Sequence, residues 1–237
     1  MSEYSVAAEM RSGRKYTFSE KLGIVGRLSM PGILAQISEI LMQYIDAAMV
    51  GALGAAASAS IGLVASSTWL FGGLLGATAA GFSAQVAHAT GAGEIDRAKS
   101  IFRQSLSASL CLSLAVGVIA FLIGQHLPQW LGADPSLWQN AVSYFSIYAM
   151  FIPVRQIRWV CMNMLQCSGN MKIPSIFATL ECILDVIFNF FLIFPTRQLM
   201  VFGMTMQVPG AGLGVAGAQL GTSLSMQIGR ASCRERV

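Results

Sequence analysis

Long apolar stretches alternate with short polar segments along the chain, and the first stretch begins near residue 23. No Asp, Glu, Lys or Arg occurs within residues 47–93, 104–133 or 135–154. About 20 apolar residues are enough for a helix to cross the hydrocarbon core of a bilayer, so the pattern predicts an all-α polytopic membrane protein. The predicted membrane spans cover approximately residues 23–50, 61–87, 104–127, 136–158, 173–195 and 211–227.

One face of the first predicted span is polar. Its polar positions are separated by 3, 4 and 3 residues, and they are Gln36, Glu39, Gln43 and Asp46. This spacing aligns side chains on one side of an α-helix. A carboxylate near the middle of a membrane costs about 2.5–3.5 kcal/mol on insertion scales, so we expect Asp46 to be functional and keep Glu39 as a further candidate. The two glutamines are interpreted as groups that join helices by hydrogen bonds.

The fifth predicted span carries a second polar stripe. Glu181, Asp185 and Asn189 follow one another at intervals of four residues, which again puts them on one helix face. Two membrane helices that face each other with carboxyl and amide groups can form a proton or cation site. The alternative interpretation is that these groups only connect neighbouring helices.

Two backbone features indicate how the spans bend and pack. Pro31 lies inside the first span, where proline is tolerated as a kink, and we predict a hinge there. The second span contains small residues at intervals of four, including Gly72, Gly76 and Ala80. Such rows let helix backbones approach one another closely.

Composition and charge agree with a membrane protein. The chain is 54% hydrophobic and 11% charged, against about 25% charged residues in soluble domains. When successive loops alternate between the two sides, eleven basic residues fall on one side and only Arg197 on the other. This bias predicts a multi-pass protein of the cell membrane with a cytoplasmic N-terminus. The eleven residues are Arg11, Arg14, Lys15, Lys21, Arg27, Arg97, Lys99, Arg103, Arg155, Arg158 and Lys172.

The motifs present in and absent from the chain argue against other classes of protein. The literal G-x-G-x-x-G at 212–217 enters an apolar span instead of a βαβ unit, and no G-x-x-x-x-G-K-[ST] motif is present. The five cysteines include no Cys-x-x-Cys pair and are expected to be small buried hydrophobes. No polybasic run points to nucleic acid. We therefore predict a protein that is not an enzyme and that uses no cofactor.

The two ends of the chain differ from the spans. Residues 1–21 are polar and are expected to form a cytoplasmic tail. The last ten residues, IGRASCRERV at 228–237, interrupt the sixth span with four charges and look like translated sequencing adapter. We expect this tail to be non-native and the sixth span to be truncated; the alternative is a genuine basic C-terminus.

Four segments resemble those of a known family in their order and spacing. They are YIDAAMVGALG, AGFSAQVAHATGAGEIDRAK, LQCSGNMKIP with the following ILDVIFNFFLIFP, and PGAGLGVAGAQLGTSLS. Over residues 22–227 the chain resembles the N-terminal half of multidrug and toxic compound extrusion (MATE) transporters. The resemblance implies a six-helix lobe of a twelve-helix protein, with a missing C-terminal lobe as its partner around a central cavity.

The resemblance also implies a function and a site. It implies efflux of organic cations, often drugs, in exchange for protons or sodium. The N-lobe ion site of the branch with an Asp in its first helix falls on Asp46, Asp185, Asn189 and Thr222. Asp185 stands where that branch usually has Asn, and Asn189 where it has Asp, so the choice between proton and Na⁺ stays open.

Other functions remain alternatives at this point. A lipid-linked precursor flippase of the same superfamily would be expected to carry basic residues in its cavity, whereas the intramembrane charges here are acidic. An intramembrane aspartyl hydrolase would use Asp46 and Asp185, but the partner Gly-x-Gly-Asp motif is absent. A membrane scaffold without transport activity would leave the intramembrane acids without a role.

Overall fold

The computed structural model describes residues 17–167, 172–201 and 204–234. These residues form seven helices and one two-stranded sheet, and six of the helices are long, which confirms the predicted all-α lobe. The elements in chain order are α1 (Phe18–Gly51), α2 (Ala55–Gly91), α3 (Ile95–Gly124), the short α4 (Leu127–Trp130), α5 (Pro135–Cys167), α6 (Lys172–Ile193), β1 (Pro195–Val201), β2 (Met204–Ala211) and α7 (Gly214–Arg234).

Local sequence signals explain where the helices begin and end. The backbone N–H and hydroxyl of Thr17 donate to Glu20 Oε2 at 2.8 and 2.9 Å, which closes a capping box at the start of α1. Gly54 and Gly93 have φ angles of 113° and 80°, which suit glycine, in the turns after α1 and α2. Asp134 accepts the backbone N–H of Ser136 at 2.8 Å before α5. Hydrogen bonding to the side chain and then to the backbone of Ser136 lowers the pKa of the Asp134 carboxyl.

Helix α5 is the centre of the lobe and packs against α2, α3 and α7. Phe145 and Ile152 of α5 are fully buried in the main apolar cluster. A Cβ at Gly76 of α2 would lie 2.9 Å from Trp159 of α5, and one at Gly72 would lie 3.6 Å from the Tyr148 hydroxyl. The close packing predicted from the small residues of the second span is therefore confirmed at these two glycines.

Four helices of the described residues, α1, α2, α3 and α6, are long and apolar enough to cross a membrane. Large apolar side chains such as Leu114, Val118 and Leu122 of α3 are exposed on the outside of the lobe, as expected for a surface that meets lipid. Helix α5 extends nine residues past Arg158, so Arg155 and Arg158 lie within the helix.

The segment 196–210 lies between the fifth and sixth predicted spans, where a long loop would be the simplest connection. It instead forms an antiparallel hairpin of β1 and β2, with Arg197 opposite Val208. The Arg197 guanidinium stacks over the rings of Phe190 and Phe194, with its carbon 4.6 and 4.0 Å from their centroids.

The predicted end segments lie only partly within the described residues. Residues 1–16 of the predicted cytoplasmic tail are outside them, as are the last three residues of the predicted non-native tail at 228–237. Helix α7 continues to Arg234.

Candidate functional site

The polar face of α6 points into the lobe. Glu181, Asp185 and Asn189 are 4%, 0% and 0% exposed. Ile183 and Ile187 on the opposite face are 54% and 45% exposed. This arrangement, apolar outside and polar inside, is the one expected of a membrane helix that lines a functional site.

Asn189 connects the carboxyl groups of two helices. Its Nδ2 donates to Asp46 Oδ1 of α1 at 2.7 Å and to Asp185 Oδ2 of α6 at 3.0 Å. The two carboxyl groups also lie within electrostatic range of each other. Asp46, more than 130 residues away in sequence, therefore joins Asp185 and Asn189 in one cluster.

Helix α7 completes this cluster with two hydroxyl groups. Ser225 Oγ lies 3.4 Å from Asp185 Oδ1, and Thr222 lies within electrostatic range of both aspartates. The Thr222 hydroxyl donates to the Ala218 carbonyl at 3.1 Å, so its lone pairs remain available to a ligand. Ser225 was not predicted from the sequence, although its position three residues after Thr222 puts it on the same helix face.

A glycine of α7 makes room for Asn189. A Cβ at Gly221 would overlap the Asn189 side chain and lie 3.2 Å from its backbone nitrogen. Asn189 Oδ1, on this side of the amide, is buried and has no hydrogen-bond partner among the described residues. The cluster thus includes an oxygen that can accept a further ligand.

The charge of the cluster favours a cation. Asp46 and Asp185 form no ion pair with a basic side chain of the described residues. Two neighbouring carboxyl groups repel each other when both are ionised, and a bound proton or metal ion relieves this repulsion. Carboxylate, amide and hydroxyl oxygens are also the ligands preferred by hard cations.

The remaining predicted site residues lie outside this cluster. Glu181 forms an ion pair with Arg158 of α5, and Glu39 is exposed on α1. Pro31 is half-buried within α1, whose helix continues on both sides of it. Gln36 and Gln43 are exposed, so the packing role expected for them is not seen within this lobe.

Comparison with known proteins identifies relatives of the chain. The model of the MatE family matches residues 31–191. The probable multidrug resistance protein NorM of Burkholderia pseudomallei is 30% identical over 138 residues, which cover 58% of this chain and 29% of that protein. The multidrug resistance protein MdtK of Klebsiella pneumoniae is 28% identical over 200 residues, which cover 81% of this chain and 41% of MdtK.

Solved structures share the fold. A multidrug resistance MATE family transporter of the MOP superfamily in an outward-facing conformation superposes with a TM-score of 0.76 and 20% identity, over 88% of this chain and 43% of that protein. The Vibrio cholerae MATE transporter VcmN in its bent form gives a TM-score of 0.75 and 18% identity, over 90% of this chain and 45% of VcmN. The chain therefore spans less than half the length of the proteins it matches.

Proposed function

The chain belongs to the MatE family, and from this premise we propose that it forms the N-terminal lobe of a multidrug efflux antiporter. The transporter exports lipophilic or organic cations in exchange for protons or sodium. It lies in the cell membrane with its N-terminus in the cytoplasm, and a C-terminal lobe completes its central cavity. Alternating access in such transporters comes from the movement of one bundle against another.

The observation that carries this proposal is the link between Asp46, Asn189 and Asp185. Asp185 and Asn189 are buried and Asp46 is half-buried, and placing such groups in an apolar lobe is costly unless they bind one another or a ligand. An Asn189 Nδ2 group shared by both carboxyl groups occupies the position that a bound cation would take between them. When no cation is bound, the two N–H groups of the amide therefore satisfy one acceptor oxygen of each carboxyl group.

Rotation of the Asn189 amide provides a simple exchange step. With Nδ2 turned toward the aspartates, the amide hydrogen-bonds both carboxyl groups but leaves their charge unchanged. With Oδ1 turned toward them, two carboxylates and a carbonyl oxygen surround one position, and Thr222 adds a hydroxyl. A proton or Na⁺ that binds there removes the negative charge that would hold a cationic substrate, so the ion and the substrate compete.

Acidic side chains in the cluster support cationic cargo over the alternatives. Lipid-linked precursors, the cargo of a flippase, are anionic, and Asp46 and Asp185 would repel them. An aspartyl hydrolase would have to place the scissile bond of its substrate between the two carboxyl groups, but the Asn189 amide lies between them here. We accordingly assign the chain no enzymatic activity and no cofactor. The coupling ion is a transported substrate.

Competition binding tests the proposed function directly. The 237-residue chain in lipid nanodiscs is titrated with tetraphenylphosphonium, a lipophilic cation, at several pH values and Na⁺ concentrations. We expect protons or Na⁺ to weaken binding to the wild-type chain, and Asp46→Asn to abolish this competition. The matched control is Asp134→Asn, the same chemical change at an exposed carboxyl between α4 and α5. Competition that persists unchanged in Asp46→Asn would remove Asp46 from the site.

A further inference from the structure

A second group of charges lies beside the ion cluster and takes no part in it. Glu181 is four residues before Asp185 on α6, about 6 Å away along the helix axis at 1.5 Å per residue. Its Oε2 accepts a hydrogen bond from Arg158 Nη2 of α5. Both residues lie well within their helices, nine residues from the ends that face each other at Cys167 and Lys172.

A single hydrogen bond, from Arg158 Nη2 to Glu181 Oε2, joins the two side chains. Glu181 Oε1 and Arg158 Nε are both buried and have no hydrogen-bond partner among the described residues. Arginine and carboxylate often pair through two parallel hydrogen bonds, which is the more stable and more specific geometry. A pair kept only to join α5 to α6 would be expected to use both arms, and this one leaves an acceptor free.

Other charges face Glu181 from the neighbouring helices. Glu39 of α1 and Arg155 of α5 lie within electrostatic range of it, and Asp185 follows on its own helix. The Arg155 guanidinium carbon lies over the Tyr148 ring, 5.0 Å from its centroid, so Arg158 is the direct partner of Glu181. The side chains of this pair are 5% exposed for Glu181 and 23% for Arg158.

We propose that Glu181 is a second proton-binding station, next to the Asp46–Asn189–Asp185 cluster, and that Arg158 is the tethered counter-cation that keeps it ionised between transfers. The inference rests on the proposed function and adds a step to it. A proton from the cluster binds to Glu181 Oε1, the ion pair weakens, and Arg158 swings away from a neutral carboxyl group. When Glu181 releases the proton, Arg158 pairs with it again.

The chemistry of this station suits a proton and not a metal ion. A proton needs only one free carboxylate oxygen, which Glu181 Oε1 provides. A hard metal ion needs several oxygen ligands, and the guanidinium of Arg158 repels any cation that does not first displace it. A role for Glu181 therefore indicates coupling to protons, whereas the Asp46–Asn189–Asp185 cluster is compatible with either protons or Na⁺.

Infrared spectroscopy of the 237-residue chain in lipid nanodiscs tests the inference. Removing Arg158 leaves a buried carboxylate without its counter-charge, and such a group takes up a proton. We expect Arg158→Met to gain the C=O band of one protonated carboxyl group per chain at neutral pH. The band should be absent from Arg158→Lys, which restores the positive charge, and from the double variant Arg158→Met/Glu181→Gln.

The control for removal of a nearby arginine is Arg155→Met, which should gain no band. A spectrum of Arg158→Met without the new band would overturn the proposal, and so would a band that persists in the double variant. If Arg158→Met does not fold, judged by circular dichroism, the wild-type minus Glu181→Gln difference spectrum still decides. That difference spectrum must contain a C=O band that grows as the pH falls, because Glu181 takes up a proton. A band that does not change with pH would exclude Glu181 as a proton-binding site. This readout uses no tetraphenylphosphonium, so its failure is distinct from failure of the competition test.

Discussion

Asn189 is the residue through which the site holds two acidic side chains together. An Asn side chain has two N–H donors on one nitrogen, and here they serve carboxyl groups from different helices. Asp185 and Asn189 are one turn apart on the buried face of α6. Both side chains lie next to Asp46 of α1, and exchanging their residue types preserves the number of carboxyl and amide groups in the cluster.

This equivalence predicts the behaviour of a swapped variant. Asp185→Asn/Asn189→Asp should keep the competition between tetraphenylphosphonium and the coupling ion, because it retains two carboxyl groups and one amide. Asp185→Asn alone removes one carboxyl group and should weaken the competition at least tenfold, a change of about 1.4 kcal/mol. Nanodisc titration measures both, and equal loss in the two variants would contradict the prediction.

The residues of the cluster differ in how far the sequence foretold them. Asp46, Asp185 and Asn189 stand out because costly polar groups recur with helical period in apolar spans. Thr222 emerged from the family resemblance, since a hydroxyl in a helix is common and carries little signal. Arg158 could not be assigned to Glu181, because the pairing depends on how α5 and α6 are rotated against each other and on an α5 longer than its apolar run.

At the scale of helices, the crossing of α6 and α7 depends on two small residues. A Cβ at Gly217 would lie 2.5 Å from the Leu192 carbonyl oxygen, and a Cβ at Gly221 would overlap Asn189. Gly217 and Gly221 form a G-x-x-x-G pair, the pattern that lets membrane helices pack closely. From the sequence, this segment is interpreted as a rejected nucleotide-binding motif and as part of the family resemblance, and Gly217 and Gly221 are not identified as a packing pair.

This crossing predicts that Gly221→Ala destabilises the lobe. Inserting a methyl group into a packed crossing costs about 1–3 kcal/mol, and here it also displaces Asn189 from the aspartates. Gly62→Ala on α2 is the control, since a Cβ there meets nothing within 4 Å. Thermal unfolding in detergent should show a lower midpoint for Gly221→Ala and an unchanged or higher one for Gly62→Ala. Equal midpoints in both variants would show that the crossing tolerates the methyl group.

The hairpin between α6 and α7 was the element that sequence patterns did not reveal. Segment 196–210 lies between two predicted spans, and its length and position favour a long connecting loop. Among the described residues its strands pair only with each other, and their stability depends on contacts with the helix ends, such as Arg197 over Phe190 and Phe194. Such tertiary contacts carry no periodic signal along the chain.

At the scale of the whole molecule, the proposed orientation in the membrane rests on the distribution of basic residues, and it can be measured. In a cysteine-free background, Ala133→Cys between α4 and α5 should react with a membrane-impermeant maleimide in intact cells. Ala92→Cys between α2 and α3 should react only after permeabilisation, because that loop is expected to face the cytoplasm. The opposite labelling pattern would invert the proposed topology.

We expect the hairpin of β1 and β2 to set how deeply the lobe sits in the bilayer. An open two-stranded sheet has outer N–H and C=O groups without partners, and hydrocarbon offers none. The hairpin must therefore stay in the headgroup or water layer, and it cannot be drawn inward with the helices that it joins. During a rocking motion, α6 and α7 can tilt about this end, whereas sliding along the membrane normal is blocked. We therefore expect the hairpin to hold this end of α6 and α7 at constant depth, so that Asp185 and Asn189 move when the helices tilt about it.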